Sequence, residues 1–430
     1  MLEKLFQLKA HGTDLKTEII AGITTFLTMA YIIVVNPGML SEAGMDYGAV
    51  FVATCLAAAV GSLVMGLLAN YPVALAPGMG LNAFFTYTVV AQMGHTWQVA
   101  LGAVFLSGVC FFLLSIFRIR EWIINSIPQT LRMGIAGGIG LFLALIALRN
   151  TGIVVPSNAT MVTLGDIGTP TALLTGLGFV LICALAARRV IGAVMIGIIV
   201  ITVIGALLGM VEYKGLVDLP PSLAPTFMQM DIAGALNIGL VSIIFAFLFV
   251  DLFDTSGTLI GVAHRGNLLD ANGNLPRLGR ALVADSTATM AGAALGTSTT
   301  TSYVESTAGI AAGGRTGLTA VVVAVLFLLA LFLAPLASIV PVFATAPALL
   351  YVAALMTSSL AHIDWDEITD AAPALVTALG MPLAFSIADG IALGFISYVV
   401  IKLAAGRFKQ LNPALLTVAA LFVLKFALLD

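Results

Sequence analysis

Apolar runs about 17–25 residues long recur from residue 19 to residue 428, with little polar chain between them. A helix of that length crosses the hydrocarbon core of a bilayer, and no water-soluble core needs so many of them. Of the 430 residues, 60% are hydrophobic and 9% are charged. A soluble domain carries about 25% charge, so a cytosolic enzyme and a disordered chain are both excluded. Lys plus Arg is 18 and Asp plus Glu is 21, a net charge of −3. That leaves no basic excess to neutralise nucleic-acid phosphates, and no nucleic-acid partner is expected. The reading is an all-α polytopic membrane protein whose partner over most of its surface is the lipid bilayer.

Hydropathy places fourteen spans, at 19–36, 49–69, 73–92, 97–117, 131–149, 171–187, 190–210, 235–263, 279–295, 300–313, 317–338, 342–361, 388–405 and 411–428. Residues 1–18 are polar and mixed in charge, so the first run reads as a retained span rather than a signal peptide. Lys4, Lys9, Lys16, Arg118, Arg120, Arg188, Arg189, Arg265, Arg277, Arg280 and Arg315 fall on one side when the N-terminus is cytoplasmic. Lys402, Arg407 and Lys409 would then fall outside. A further span over residues 371–387 would repair this, but Pro373 and Pro382 favour a re-entrant or interfacial helix there.

The halves of the chain echo each other. Val52-Ala53-Thr54 before Gly61 matches Val283-Ala284-Asp285 before Gly292, and Ile127-Pro128 matches Val340-Pro341. Seven spans per half would invert the second half relative to the first, the architecture of secondary transporters. The third and tenth segments add to this. Pro77, Gly78 and Gly80 interrupt the third, and the run Thr297 to Ser302 opens the tenth. Both are poor as continuous lipid-facing helices. Irregular backbone at membrane depth is tolerated where it lines a cavity or is buried in protein.

Four carboxylates lie within spans: Asp251 and Asp254 in the eighth, Asp285 in the ninth and Glu305 in the tenth. Each costs at least about 2.5 kcal/mol at bilayer depth, so each needs a role or a partner. Asp254 and Glu305 sit at broken or glycine-containing sites and are candidates to hold a ligand. Asp251 fits a structural hydrogen bond or proton coupling equally well. Asp285 fits a proton relay better than a ligand contact. Asn82 and Phe84 follow the break in the third segment, where a ring could stack on a flat ligand or simply pack. Cys55, Cys110 and Cys183 read as buried apolar residues, and the histidines form no metal set. Asp270 to Asn274 reads as a plain turn. No nucleophile–base pair marks an enzyme.

Four stretches carry a family resemblance: Thr17 to Thr28, Ala76-Pro77-Gly78-Met79-Gly80-Leu81-Asn82-Ala83-Phe84-Phe85, Leu252-Phe253-Asp254-Thr255-Ser256-Gly257-Thr258, and Glu305 to Thr319. Together they resemble the AzgA-like purine permeases of the nucleobase–cation symporter family, over essentially the whole chain. The resemblance implies fourteen transmembrane segments as two inverted repeats of seven. Short strands would lie in broken segments 3 and 10. It implies a core domain from 19–117 and 235–338, a gate domain from 121–210 and 342–428, and a homodimer. It implies that Asp254, Glu305 and Asn82 bind a purine nucleobase, with Phe84, Thr25 and Thr28 near its ring. Asp254, Asp285 and Asp251 would couple transport to protons, with no cofactor other than that coupling ion. Thr258 stands where uracil transporters place a histidine, which argues against uracil. Glu305-Ser306 departs from the Gln-Asn pair of the xanthine and ascorbate branches and fits adenine, guanine or hypoxanthine. A bacterial-type inner membrane would be the site of action. The competing reading is a transporter of a small anion on the same architecture, which two uncompensated acids would repel.

Overall fold

A computed structural model describes residues 2–116, 128–212, 215–236, 241–266, 268, 270 and 275–428. The chain opens with α1 (Leu15–Met29) and α2 (Ile32–Ser41), one run broken at Ala30 and Tyr31. Next comes α3 (Tyr47–Val64), which widens into a π turn over Met65–Ala69. Strand β1 (Leu75–Pro77) leads into α4 (Met79–Ala83), continued as a π-helix over Phe84–Gln92. Then follow α5 (Trp97–Ile116), α6 (Gln129–Asn150), a hairpin of β2 (Val154–Ser157) and β3 (Met161–Leu164), α7 (Pro170–Ala187) and α8 (Ala193–Leu207).

The second half runs α9 (Val241–Arg265), α10 (Leu278–Leu295), β4 (Thr300–Ser302), α11 (Ser306–Ala311) and α12 (Gly317–Ala330). It ends with α13 (Val342–Thr357), α14 (Ile368–Ala384), α15 (Ile387–Ala404) and α16 (Pro413–Leu428). Helix starts follow their capping residues. Asp14 accepts from the Thr17 amide at 2.8 Å and Asp46 from the Ala49 amide at 2.8 Å.

Among the described residues, 9 helical runs are long and apolar enough to cross a membrane, and three shorter apolar helices accompany them. The chain is therefore a multi-pass membrane protein. Fewer runs qualify than the fourteen hydropathy gave. Strands shorten the third and tenth, and α10 carries Arg280 and Asp285. Residues 371–387, expected to form a re-entrant or interfacial helix, lie mostly in helix α14, packed against α6 and α15. Gly134 and Gly138 of α6 let the backbone of Ala374 and Ala378 come close, so the proline-bearing helix finds a groove that hydropathy cannot see. Cys55 is buried as expected, but Cys110 is exposed and Cys183 half-buried, on helix faces that no protein covers. Arg118, Arg120, the predicted boundary at 121 and most of the turn after Asp270 lie outside the described residues.

Helix α10 packs against both α3 and α5, and α12 against α1 and α3. Elsewhere α6 packs on α13 and α14, and α13 on α7 and α8. Close approach depends on glycine where α12 meets the end of α3. A Cβ on Gly317 would collide with the Gly66 carbonyl oxygen. The same junction holds a buried carboxylate. Glu18 is fully buried and accepts from the amides of Arg315 (2.8 Å), Thr316 (3.2 Å) and Thr319 (3.1 Å), and from the Thr319 hydroxyl (2.6 Å). Its charge answers the otherwise orphaned N–H groups at the start of α12, so α1 and α12 are pinned together. Glu18→Ala should lower unfolding stability in detergent by about 1–3 kcal/mol, because those donors lose their acceptor. Glu18→Gln, which keeps one acceptor oxygen, should fall between. Equal melting temperatures for all three proteins would show that Glu18 does not hold this junction.

Candidate functional site

The two broken segments meet as strands. β1 pairs antiparallel with β4 in the register Leu75 with Ser302, Ala76 with Thr301 and Pro77 with Thr300. The pairing extends beyond the strands, since the Gly78 amide donates to Thr299 O (2.9 Å) and the Tyr303 amide to Ala74 O (2.9 Å). Proline cannot donate within a ladder, and the Tyr303 hydroxyl instead donates to Pro77 O at 2.6 Å. All six strand residues are buried. The short strands expected in these segments are thus present, and each serves the other's backbone.

Acids gather around this crossing. Glu305 stands at the N-terminal boundary of α11 and is half-buried. Its Oε1 accepts from the Tyr31 hydroxyl at 2.6 Å, and Tyr31 is itself buried at the break between α1 and α2. Asp254, midway along α9, is also half-buried, and its carboxylate lies within electrostatic range of Glu305. Asp285 is fully buried behind them. Its Oδ2 accepts from Thr255 Oγ1 (2.8 Å) and its Oδ1 from Ser302 Oγ (2.9 Å). Thr255 Oγ1 is also 2.7 Å from Thr301 Oγ1. Thr255 has one proton and gives it to Asp285, so Thr301 donates to Thr255. Asp251 is buried and accepts from Thr289 Oγ1 (3.1 Å), which also lies 3.0 Å from Thr300 O.

The remaining predicted residues fall in distinct settings. Asn82 is fully buried, and neither amide atom has a hydrogen-bond partner among the described residues. Thr28 Oγ1 donates to Thr25 O (2.7 Å), with Glu305 O farther away at 3.5 Å. Thr25 is buried and packs against Gly309 of α11, where a Cβ would collide with it. Thr258 is half-buried, one turn beyond Asp254. The Phe84 ring is fully buried and meets the Phe247 ring edge-on at 4.8 Å. The structure thus brings Asp254, Glu305, Asp285, Asp251, Thr25 and Thr28 to one region, while Phe84 is engaged with another ring. A cavity of about 250 Å³ lies elsewhere, beside Tyr47, Asp218, Pro221 and Pro335. No cluster of three or more His, Cys, Asp or Glu suited to a metal occurs among the described residues.

Residues 16–393 match the permease family. The chain belongs to that family. Over 430 residues it is 52% identical to adenine permease AdeP of Escherichia coli (strain K12), covering 100% of this chain and 97% of that protein. It is 46% identical over 440 residues to guanine/hypoxanthine permease PbuG of Bacillus subtilis (strain 168), covering 100% of each. Among solved structures, the transmembrane domain of the cyanobacterial bicarbonate transporter BicA matches with a TM-score of 0.66 at 16% identity, over 87% of this chain and 97% of that one. At that identity the likeness establishes the fold. This permease is a membrane transporter, not an enzyme.

Sequence reasoning missed Tyr31, Thr255, Thr289 and Ser302 as partners of the acids. The hydroxyl run before Tyr303 did signal a buried polar bed, but a tyrosine in an apolar run gives no signal. The permease leaves Asn82 unmet, and a buried amide without partners costs about 1–3 kcal/mol. Asn82→Leu, similar in volume and without polar atoms, should therefore raise stability in detergent by about 1 kcal/mol. Chemical denaturation of the purified protein measures this. A fall in midpoint would mean that the amide is already satisfied.

Proposed function

We propose that this permease imports purine nucleobases, adenine and hypoxanthine or guanine, by proton symport. One observation supports the reading: the Asp254 and Glu305 carboxylates lie within electrostatic range of each other beside the β1–β4 crossing, and among the described residues the Tyr31 hydroxyl holds Glu305 through Oε1. Tyr31 occupies Oε1, which leaves Oε2 to accept a ring N–H. A neutral purine offers such donors, and adenine or guanine adds an exocyclic amine. Two carboxylates suit that edge, because charge-assisted hydrogen bonds are stronger than neutral ones. The amide of Asn82 offers both a donor and an acceptor. The names of AdeP and PbuG agree with this cargo. An anion, the cargo of BicA, would meet two carboxylates that have no lysine or arginine partner among the described residues.

The coupling ion follows from the hydroxyl bed. Asp254 adjoins Thr255, and Thr255 donates to Asp285. A proton bound among these acids would remove charge from a site that must move through apolar surroundings. Asp251, tied to Thr289, is a second place for that proton. Alternating access supplies the movement.

The packing supports two inverted repeats. α1–α2 corresponds to α9, α3 to α10, β1 to β4, α5 to α12, α6 to α13, α7 to α14 and α8 to α15. The partners exchange accordingly: α10 packs on α5 as α3 packs on α12, and α6 packs on α14 as α13 packs on α7. Pro128 and Pro341 precede the equivalent helices α6 and α13. Helix α16 is then left over, one segment beyond the fourteen. Counting α14 as a span returns Lys402, Arg407 and Lys409 to the side of Arg265, so the N-terminus is cytoplasmic and the membrane is the inner one. The core domain is 19–117 with 235–338, the gate domain 121–210 with 342–428. A homodimer joined through gate domains completes the reading.

Cells lacking their own purine uptake should accumulate radiolabelled adenine or hypoxanthine when they make this protein, and a protonophore should abolish the accumulation. Asp254→Asn and Glu305→Gln should each cut uptake at low substrate about 10–100-fold at unchanged membrane level, the loss of a hydrogen bond to a charged group. Wild-type uptake by either variant would remove that acid from the site. For Asp285→Asn the expected outcome is retained exchange of purine across the membrane without accumulation against a gradient. Accumulation at the wild-type level would end its role as relay.

A further inference from the structure

The two ends of the transport path differ in this state. On α9, Asp254 and Thr258 are half-buried, while Gly257, Gly261 and Arg265 are exposed, one stripe running from the acid to the helix end. Val304, next to Glu305, is 49% exposed. A stripe that carries a carboxylate and bare glycine backbone at membrane depth faces water rather than lipid. It ends at the side of Arg277, whose amide donates to Tyr71 OH at the far end of α3 from Glu42.

At the opposite end, the Glu42 end, the chain is laced shut around one residue. Phe385 forms the corner between α14 and α15 in a left-handed conformation (φ +53), which L side chains rarely adopt. Its ring packs edge-on against Phe142 (5.2 Å) and Tyr87 (6.4 Å), with the Arg149 guanidinium 5.3 Å from its centre. The backbone is gripped as well. Thr88 Oγ1 donates to Phe385 O and Gln92 Nε2 to Ala384 O, each at 3.3 Å. Tyr87, Thr88 and Gln92 belong to the π-helix that continues α4, whereas Phe142 and Arg149 belong to α6. One strained corner therefore ties together elements assigned above to the core and the gate.

We propose that Phe385 is the bolt of an outer seal. Its ring, seated between the π-helix and α6, closes the outer approach to the acids, and it must leave that slot before a ligand can enter from outside. The inference rests on the core–gate reading but not on the identity of the cargo. The left-handed φ keeps the phenyl aimed into the slot, and the two carbonyls beside it are held by side chains of the π-helix, contacts that can be released without unwinding a helix.

The test places a reporter beside the acids. In a chain with Cys55, Cys110 and Cys183 replaced by serine, Val304→Cys is labelled in intact cells with a membrane-impermeant thiol reagent. Phe385→Gly keeps the left-handed corner, which glycine adopts freely, and removes only the ring. Labelling from outside should then speed up about tenfold or more. An unchanged rate with normal membrane levels would overturn the proposal. Should the glycine variant not reach the membrane, Gln92→Cys with Ala384→Cys gives a second measurement with Phe385 intact. Oxidation should stop transport and reductant should restore it, whereas full-rate transport by the cross-linked protein would overturn the seal. Labelling needs no substrate, so it decides the seal even where purine uptake fails.

Discussion

Two extended segments in the middle of a membrane protein must find hydrogen-bond partners for their backbones, and each finds most of them on the other, with the hydroxyls of Ser62, Thr289 and Tyr303 meeting further strand groups. An amide or carbonyl left unpaired away from water costs several kcal/mol. The pairing of Leu75–Pro77 with Thr300–Ser302 answers this, with Gly78, Thr299, Ala74 and Tyr303 extending it at both ends. Neither half of the chain can form its broken segment alone. The crossing in turn fixes where Glu305 and Asn82 emerge, since each lies a few residues beyond its strand. Much of the remaining packing serves to bring α3 and α10 close enough for their strands to meet, including Gly61, where a Cβ would stand 2.9 Å from Ala288 Cβ.

Charge is handled in two ways in this molecule. Toward the Ile368 end of α14 and the Ala404 end of α15 it is paired with opposite charge. Lys402 is fully buried and meets Asp370 at 3.0 Å, with Thr369 Oγ1 at 2.8 Å. Glu367 meets Arg407 at 2.7 Å, and the Arg407 guanidinium, with Thr369, draws its carboxyl down to about 2. Such a group stays ionised at any physiological pH. At the strand crossing the acids meet hydroxyls instead: Tyr31 for Glu305, Thr255 and Ser302 for Asp285, Thr289 for Asp251. A hydroxyl can donate to a carboxylate or accept from a carboxylic acid, so the bed tolerates both protonation states. A cation partner would favour only one. That difference fits the proton coupling proposed for the acids at the crossing.

Much of this was legible beforehand, for reasons that can be named. Helical runs were readable because lipid demands long apolar stretches. The breaks in the third and tenth segments were readable because Pro77, Gly78 and the hydroxyl run after Gly296 are poor as spanning helix, and the family resemblance implied that they hold strands. Asp254, Asp285 and Glu305 stood out because uncompensated charge in apolar chain is rare. What hydropathy could not give was pairing between distant segments. Helix α14 carries Pro373 and Pro382 and is a helix because Gly134 and Gly138 leave room for it. Tyr31 looked like one more apolar residue until its hydroxyl met Glu305. Phe84 looked like a stacking ring, and its partner Phe247 lies far away in sequence.

The contact between α4 and α6 bears on how such a molecule can move. A Cβ on Gly80 would stand 2.5 Å from Ile139 Cγ2, so the start of the half-helix lies directly against the neighbouring helix with no side chain between. Gly80 is also two residues from Asn82, whose amide is unmet. Backbone against a single branched side chain makes a shallow contact, without the interlocking of large residues seen at Phe84 and Phe247. A shallow contact can slide, while interlocked rings resist sliding. The ligand side of the crossing therefore presents its smoothest surface toward α6, and the firm attachment to α6 is concentrated at the Phe385 corner. The proposed alternating access needs that distribution: weak contact beside the proposed ligand site, and one releasable contact at the proposed outer seal.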